Sequence, residues 1–276
     1  MQFKNDWLEI LIQCKEKVKE FIRPHLSTIN EPQPYLGRGA GGDLIKPVDL
    51  AAEKAIVDVL QQSGISFTLI SEESGVKEFG ENPAQYYVTV DPIDGTNNLV
   101  RSIPFYASSI AISTKLTLTK VSAALVADLV HDTTYTALEG VGAYRDGAKI
   151  TSSTRTSLDE AMIGLDLNSN KVKKIAPQLV DLIQKTKHIR HFGANALELC
   201  YVADGTTDAF VDIRSKLRTT DLAAAFLIVR EAGGTVTDLL DKDLNAKLGP
   251  KQKIAFIASG NAKIHKKILN LVKSQC

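Results

Sequence analysis

The stretch Val90-Asp91-Pro92-Ile93-Asp94-Gly95-Thr96 constrains this chain more than any other. The apolar run from Tyr86 to Val90 predicts a buried strand that ends at Asp91. X-Pro geometry keeps Asp91 extended, and Pro92 is expected to stop the strand there. Two carboxylates three positions apart are thereby pushed out at one strand end. Gly95 lets the backbone approach a ligand closely, and Thr96 is expected to cap the helical turn that follows. Neighbouring aspartates repel, and each raises the other's pKa unless a cation lies between them. A hard divalent metal held by oxygen, with a phosphate beside it on free N–H groups, resolves that repulsion. The plainer alternative is an acidic surface turn, although such a turn needs neither Asp91 nor Thr96.

Other segments bring acids to similar places. A strand predicted over Phe67 to Ser71 stops at Glu72-Glu73-Ser74-Gly75, so a second strand end carries carboxylates shortly before Asp91. Paired acids in a loop are usually just solvated, but this position makes one of them a candidate ligand. After Pro47, the apolar spacing of Val48, Ala52, Ile56, Val59 and Leu60 predicts a helix with Asp49 and Glu53 one turn apart. Asp221 heads a second, mostly apolar helix over Leu222 to Val229, closed by Gly233-Gly234. An aspartate there is ordinarily only a cap. The run Gly37-Arg38-Gly39-Ala40-Gly41-Gly42 matches neither the P-loop nor the dinucleotide fingerprint, and reads as a mobile flap or a linker.

With 276 residues the chain is long enough for one large domain or two closely joined ones. A Ser/Thr-rich stretch at Thr151 to Ser157 is the expected boundary, dividing residues 1–155 from 156–276. Residues 106–150 read as an antiparallel strand meander, whereas the second half mixes helices and strands, so the fold class is α+β. In that half, Val172, Ile175, Leu179, Leu182 and Ile183 mark one helix. A net charge of +1 argues against a general nucleic-acid or membrane surface as partner. No apolar run approaches the roughly 18 residues that span a bilayer. Three widely spaced cysteines speak against a disulfide framework or a thiolate zinc site, and the expected location is the cytoplasm.

Taken together, Asp91-Pro92-Ile93-Asp94-Gly95-Thr96-Asn97-Asn98 resembles the first signature of the inositol monophosphatase family. Thr220-Asp221-Leu222-Ala223-Ala224-Ala225 through Glu231-Ala232-Gly233-Gly234 resembles its second, and Glu72-Glu73-Ser74 its third acidic element. The resemblance implies a five-layered α-β-α-β-α sandwich and hydrolysis of phosphate monoesters with Mg²⁺, two or three ions per site, Mn²⁺ being an alternative. It implies that Glu72, Asp91 and the Ile93 carbonyl hold a first ion, and that Asp91, Asp94 and Asp221 hold a second. Thr96, bonded to Asp49, would orient the attacking water, and the Gly95 and Thr96 N–H groups would receive the phosphate. The family acts without a protein nucleophile, and its members are usually homodimers.

Two departures stand out: Thr220 replaces the family's usual Trp and Leu99 its usual Phe. The stretch Phe210 to Arg218, longer and more basic than in animal enzymes, is similar to the archaeal branch, as is Phe192 to Ala203. That branch implies fructose 1,6-bisphosphate and inositol-1-phosphate as substrates. Asp212 falls where the family has an acid that binds sugar hydroxyls, Asn195 where a small residue lines the same pocket, and Arg214 and Arg218 are candidates for a second phosphate. A solvated loop or subunit contact explains these arginines equally well. Two other functions compete: a phosphatase for nucleotides such as 3'-phosphoadenosine 5'-phosphate or NADP, and a non-catalytic sugar-phosphate binding protein. The last predicts loss of an acidic ligand, and Glu72, Asp91, Asp94 and Asp221 are all present.

Overall fold

Two helices with apolar inner faces open the chain: α1 (Gln2–Leu26) and α2 (Pro47–Gln62). Pro47 suits the first turn of α2, since its fixed φ is helical and its missing N–H would have no intrahelical partner. The pair lays Leu11, Cys14, Ile56 and Leu60 on one face of an eight-stranded sheet. Its strands are β1 (Phe67–Ser71), β2 (Gly75–Phe79), β3 (Tyr87–Asp94), β4 (Ala107–Ser113), β5 (Val121–Asp128), β6 (Thr134–Leu138), β7 (Gly142–Arg145) and β8 (Ala148–Lys149). A short helix, α3 (Thr96–Val100), links β3 to β4. The spatial order is β2-β1-β3-β4-β5-β6-β7-β8, antiparallel throughout except for the parallel pair β1 and β3. This computed structural model describes residues 2–26, 36–42, 44–169 and 171–273.

A second sheet carries β9 (Met162–Leu165), β10 (His188–Arg190), β11 (Ala209–Arg218), β12 (Thr235–Thr237) and β13 (Lys253–Ser259) in the order β10-β9-β11-β13-β12. Helices α4 (Val172–Ile175), α5 (Val180–Lys185) and α8 (Ala262–Lys273) cover its outer face. Between the sheets lie α6 (Asn195–Ala203) and α7 (Thr219–Glu231). The period-two alternation of strands assigns the layers. On β4, Ile110 and Ile112 face α1 and α2, while Ala107 and Ala111 face α6 and α7. Every residue of α7 from Thr219 to Val229 is buried, which explains a helix apolar on all sides. The result is the five-layered α+β sandwich.

Several local expectations change. Pro92 does not end β3, which continues to Asp94. Asp91 pairs with Ser109 and Asp94 with Ala107, so β3 carries one extra residue there, a bulge. A bulge is where a strand tolerates a residue without an N–H. Thr96 is not the cap of α3: Gly95 takes that position with φ +87°, and Thr96 is the first helical residue. The basic stretch forms the last part of β11, where the register with β13 shifts between Asp212 and Leu217. The single helix expected from Val172 splits into α4, a 3₁₀ turn at Ala176–Leu179 and α5, because Pro177 removes a helical N–H.

Candidate active site

Three carboxylates arrive from three elements. Glu72 follows β1, Asp91 lies at the bulge of β3, and Asp221 stands in the first turn of α7. One oxygen from each falls within 4.8 Å of the others. The parallel pairing of β1 with β3 puts Ser71 beside Val90 and so brings the end of β1 alongside the bulge that carries Asp91. The Glu72 N–H donates to the Val90 carbonyl at 3.3 Å. Asp221 is fixed as a capping side chain: the Arg218 N–H donates to its Oδ2 at 2.9 Å. The Thr220 hydroxyl donates to its Oδ1 at 3.0 Å, so the residue replacing the family's usual Trp grips the adjacent acid.

These groups line a cavity of about 450 Å³ together with Asp49, Ile93, Asp94, Gly95, Thr96 and Asn195. Electrostatically it is a strained place. Burial pushes the Asp91 carboxyl well above the usual range, and the charges of Glu72, Asp94 and Asp221 push it further. Arg218 acts in the opposite sense. Asp94 stands beside the trio but outside it. Its Oδ1 accepts from Asn195 N at 2.9 Å, and its Oδ2 from Ala196 N at 2.7 Å and Leu197 N at 3.4 Å, at the start of α6. Burial and Asp221 nevertheless raise its pKa to about 7, outweighing those three N–H donors.

Thr96 and Asp49 do meet. The Thr96 hydroxyl lies 3.0 Å from Asp49 Oδ1 and 2.8 Å from the Ile93 carbonyl, its single proton shared between the two acceptors. Burial raises Asp49 to about 6 despite the N–H of Lys46 and the Thr96 hydroxyl. Gly95 is required by space as well as by φ, since a Cβ would come 2.9 Å from Ala194 Cβ and 3.1 Å from the Phe105 carbonyl. Asn195 lines the cavity, and its buried Oδ1 has no hydrogen-bond partner among the described residues.

Two sequence candidates are not brought to the cavity. Asp212 is fully buried and is bound by Arg214, whose Nε donates to its Oδ1 at 3.0 Å and whose Nη2 donates to its Oδ2 at 2.5 Å. The same guanidinium pairs with Asp166 and donates to the Asn168 carbonyl. With its side chain only 4% exposed, Arg214 faces acids in the second sheet rather than a ligand. Arg218 does reach the cavity, where its Nη2 donates to Glu72 Oε1 at 2.6 Å.

Other contributors carried weak sequence signals. Glu53 accepts from the Ser71 hydroxyl and from Ser74 N at 3.2 Å, holding the loop that carries Glu72. Its only trace in the sequence is an acid one helical turn after Asp49. Glu198 accepts from Phe192 N at 3.1 Å and Gly193 N at 2.9 Å, and Asn98 donates to the carbonyls of Phe105 and Phe192. Both fix the loop packed on Gly95. Arg38 and Lys46 add cations to the cavity wall.

The donor set suits a metal ion of a particular kind. Glu72, Asp91 and Asp221 offer oxygen alone, and the described cavity wall contains neither histidine nor cysteine. Hard divalent cations select such ligands, and zinc does not require them. The residues present therefore fit the implied Mg²⁺ or Mn²⁺.

Comparison with known proteins agrees with this geometry. The family model described as the inositol monophosphatase family matches residues 4–275. A fructose-1,6-bisphosphatase/inositol-1-monophosphatase from Methanothermobacter thermautotrophicus is 34% identical over 97% of this chain and 96% of its own. A bifunctional NADP phosphatase/NAD kinase from Methanococcus maripaludis is 32% identical over 96% of this chain, which spans 49% of that longer protein. A crystal structure of an inositol monophosphatase–fructose 1,6-bisphosphatase superposes with a TM-score of 0.85 at 29% identity, covering 96% of this chain and 99% of that one.

Proposed function

Because this chain belongs to the inositol monophosphatase family and is a phosphoric monoester hydrolase, we propose that it hydrolyses fructose 1,6-bisphosphate and inositol-1-phosphate with Mg²⁺. The observation that carries this reading is the convergence of Glu72, Asp91 and Asp221 in one cavity with the Thr96–Asp49 pair. Glu72, Asp91 and Asp221 would hold the ion, with Asp94 and the Ile93 carbonyl at hand for a second. When bound, Mg²⁺ lowers the pKa of water and stabilises charge on the phosphoryl and leaving oxygens.

The remaining work falls to the chain. Thr96 accepts from and orients the attacking water while Asp49 anchors its hydroxyl and takes up proton density, a role suited to a carboxyl raised to about 6. The N–H groups of Gly95 and Thr96 open the first turn of α3, where intrahelical partners are lacking, and receive phosphate oxygens. Asn195 offers its unpartnered Oδ1 to a sugar hydroxyl. Arg38, Lys46 and Arg218 place positive charge around the same cavity, which favours a substrate with more than one phosphate. We also propose a homodimer, as is usual in the family, and a cytoplasmic location, for which the three widely spaced cysteines speak.

A second reading, NADP phosphatase, is favoured by the similarity to the Methanococcus maripaludis protein over nearly all of this chain. Phosphate release from fructose 1,6-bisphosphate, inositol-1-phosphate, NADP and 3'-phosphoadenosine 5'-phosphate, at one Mg²⁺ concentration, separates the two. The proposal expects the highest kcat/KM on the first pair. Preference for either nucleotide would replace it.

A further inference from the structure

Arg218 ends β11 immediately before α7, and its side chain is turned into the acidic cluster rather than outward. Its Nη2 donates to Glu72 Oε1 at 2.6 Å, and its Nε lies 3.6 Å from Asp221 Oδ1. One guanidinium, its side chain 12% exposed, thus hydrogen-bonds one of the three clustered carboxylates and lies within ion-pair distance of a second. The glycine-rich segment lies directly on this pair. Gly41 N donates to the Glu72 carbonyl at 2.8 Å and Ala40 N to the Glu73 carbonyl at 2.9 Å. A Cβ on Gly41 would come 2.1 Å from Arg218 Nη1, so a side chain there would have to displace the guanidinium from its present position.

A charge-assisted hydrogen bond at this distance neutralises much of the charge that Glu72 would otherwise offer a cation. Nor do a guanidinium and a divalent ion share so small a space without strong repulsion. We propose that Arg218 is a tethered counter-ion that competes with the divalent cation for Glu72 and Asp221, so that metal affinity is set by the exchange of one for the other. Metal loading then frees the guanidinium at the cavity wall, where a substrate anion is bound. The inference rests on the metal-dependent reading above and not on the identity of the substrate.

Isothermal titration of the metal-free protein with Mg²⁺, without substrate, tests it in the unmodified chain, Arg218→Gln and Arg218→Lys. Loss of the competing charge should tighten Mg²⁺ binding roughly tenfold in Arg218→Gln, a fraction of what a bare contact pair would give. Arg218→Lys keeps the charge and should stay closer to the unmodified protein. The metal-free Arg218→Gln protein should also melt lower, and Mg²⁺ should recover the loss. Equal or weaker Mg²⁺ affinity in Arg218→Gln overturns the exchange while leaving the metal reading intact, whereas no Mg²⁺ binding by the unmodified protein contradicts both. Should Arg218→Gln not fold, ¹⁵N-arginine spectra of the unmodified protein decide instead. The Arg218 Nε resonance, assigned by its loss in Arg218→Lys, should move in step with Mg²⁺ occupancy, and an unmoved resonance overturns the proposal.

Discussion

Arg214 and Arg218 stand close together on one strand yet have different jobs, and the difference comes from their partners. Arg214 is enclosed by Asp166 and Asp212, both nearly or fully inaccessible to solvent. Removing it leaves two buried carboxylates without a counter-charge, which typically costs about 3–5 kcal/mol. Arg214→Ala should therefore lower the melting temperature strongly and reduce turnover on monophosphate and bisphosphate substrates alike, as thermal scans and paired assays would read. A selective loss on the bisphosphate would instead return Arg214 to the substrate. Sequence alone did not separate these arginines, because the partner Asp166 follows β9, a neighbour of β11 only in the folded sheet. The acids were more legible. Glu72 and Asp221 stand at a strand and a helix end and Asp91 beside the Pro92 bulge, positions that pattern and turn chemistry locate without tertiary information.

At the scale of elements, the turn from β3 into α3 ties the two halves of the site together. The bulge at Pro92 sets Asp91 toward the cluster and Asp94 toward the start of α6, and Gly95 then packs against Ala194. Gly95→Ala would place a Cβ where φ is +87° and the space is already taken. The strain should cost about 1–3 kcal/mol. Displacement of Thr96 should lower kcat at least about tenfold, since small misplacements near the chemistry are expensive. Unchanged kcat in Gly95→Ala would show that the turn is not held as tightly as described. Elements with clear periodicity, such as α2, or with a long apolar run behind a capping acid, such as α7, were readable in the sequence. The three-residue β12 and the two-residue β8 were not, because so short a run has no periodicity and is defined only by the strand it pairs with.

For the whole molecule, the acidic cavity links stability to pH and to metal. Folding raises Asp49 to about 6 and Asp94 to about 7 from an ordinary 3.8, with Asp91 shifted the same way. Because these folded pKa values are raised, the stability they contribute is full below about pH 4 and is lost as pH climbs through about 7. His265, lowered by burial to about 4, works in the opposite direction as pH falls below about 6.5, but it is remote from the metal ligands. The difference between melting temperatures with Mg²⁺ and with EDTA isolates the cavity. That gap should widen as pH rises from about 5 to about 7.5, because a cation stabilises the ionised carboxylates. A gap independent of pH would mean that the cluster does not take up the ion.

The central claim, that these carboxylates serve a metal-dependent phosphate monoester hydrolysis, is tested most directly by phosphate release from fructose 1,6-bisphosphate and inositol-1-phosphate after EDTA treatment and then during Mg²⁺ titration. The expected result is no hydrolysis in chelator and full recovery on adding Mg²⁺, with the protein folded throughout. Undiminished hydrolysis in thoroughly chelated buffer would contradict it.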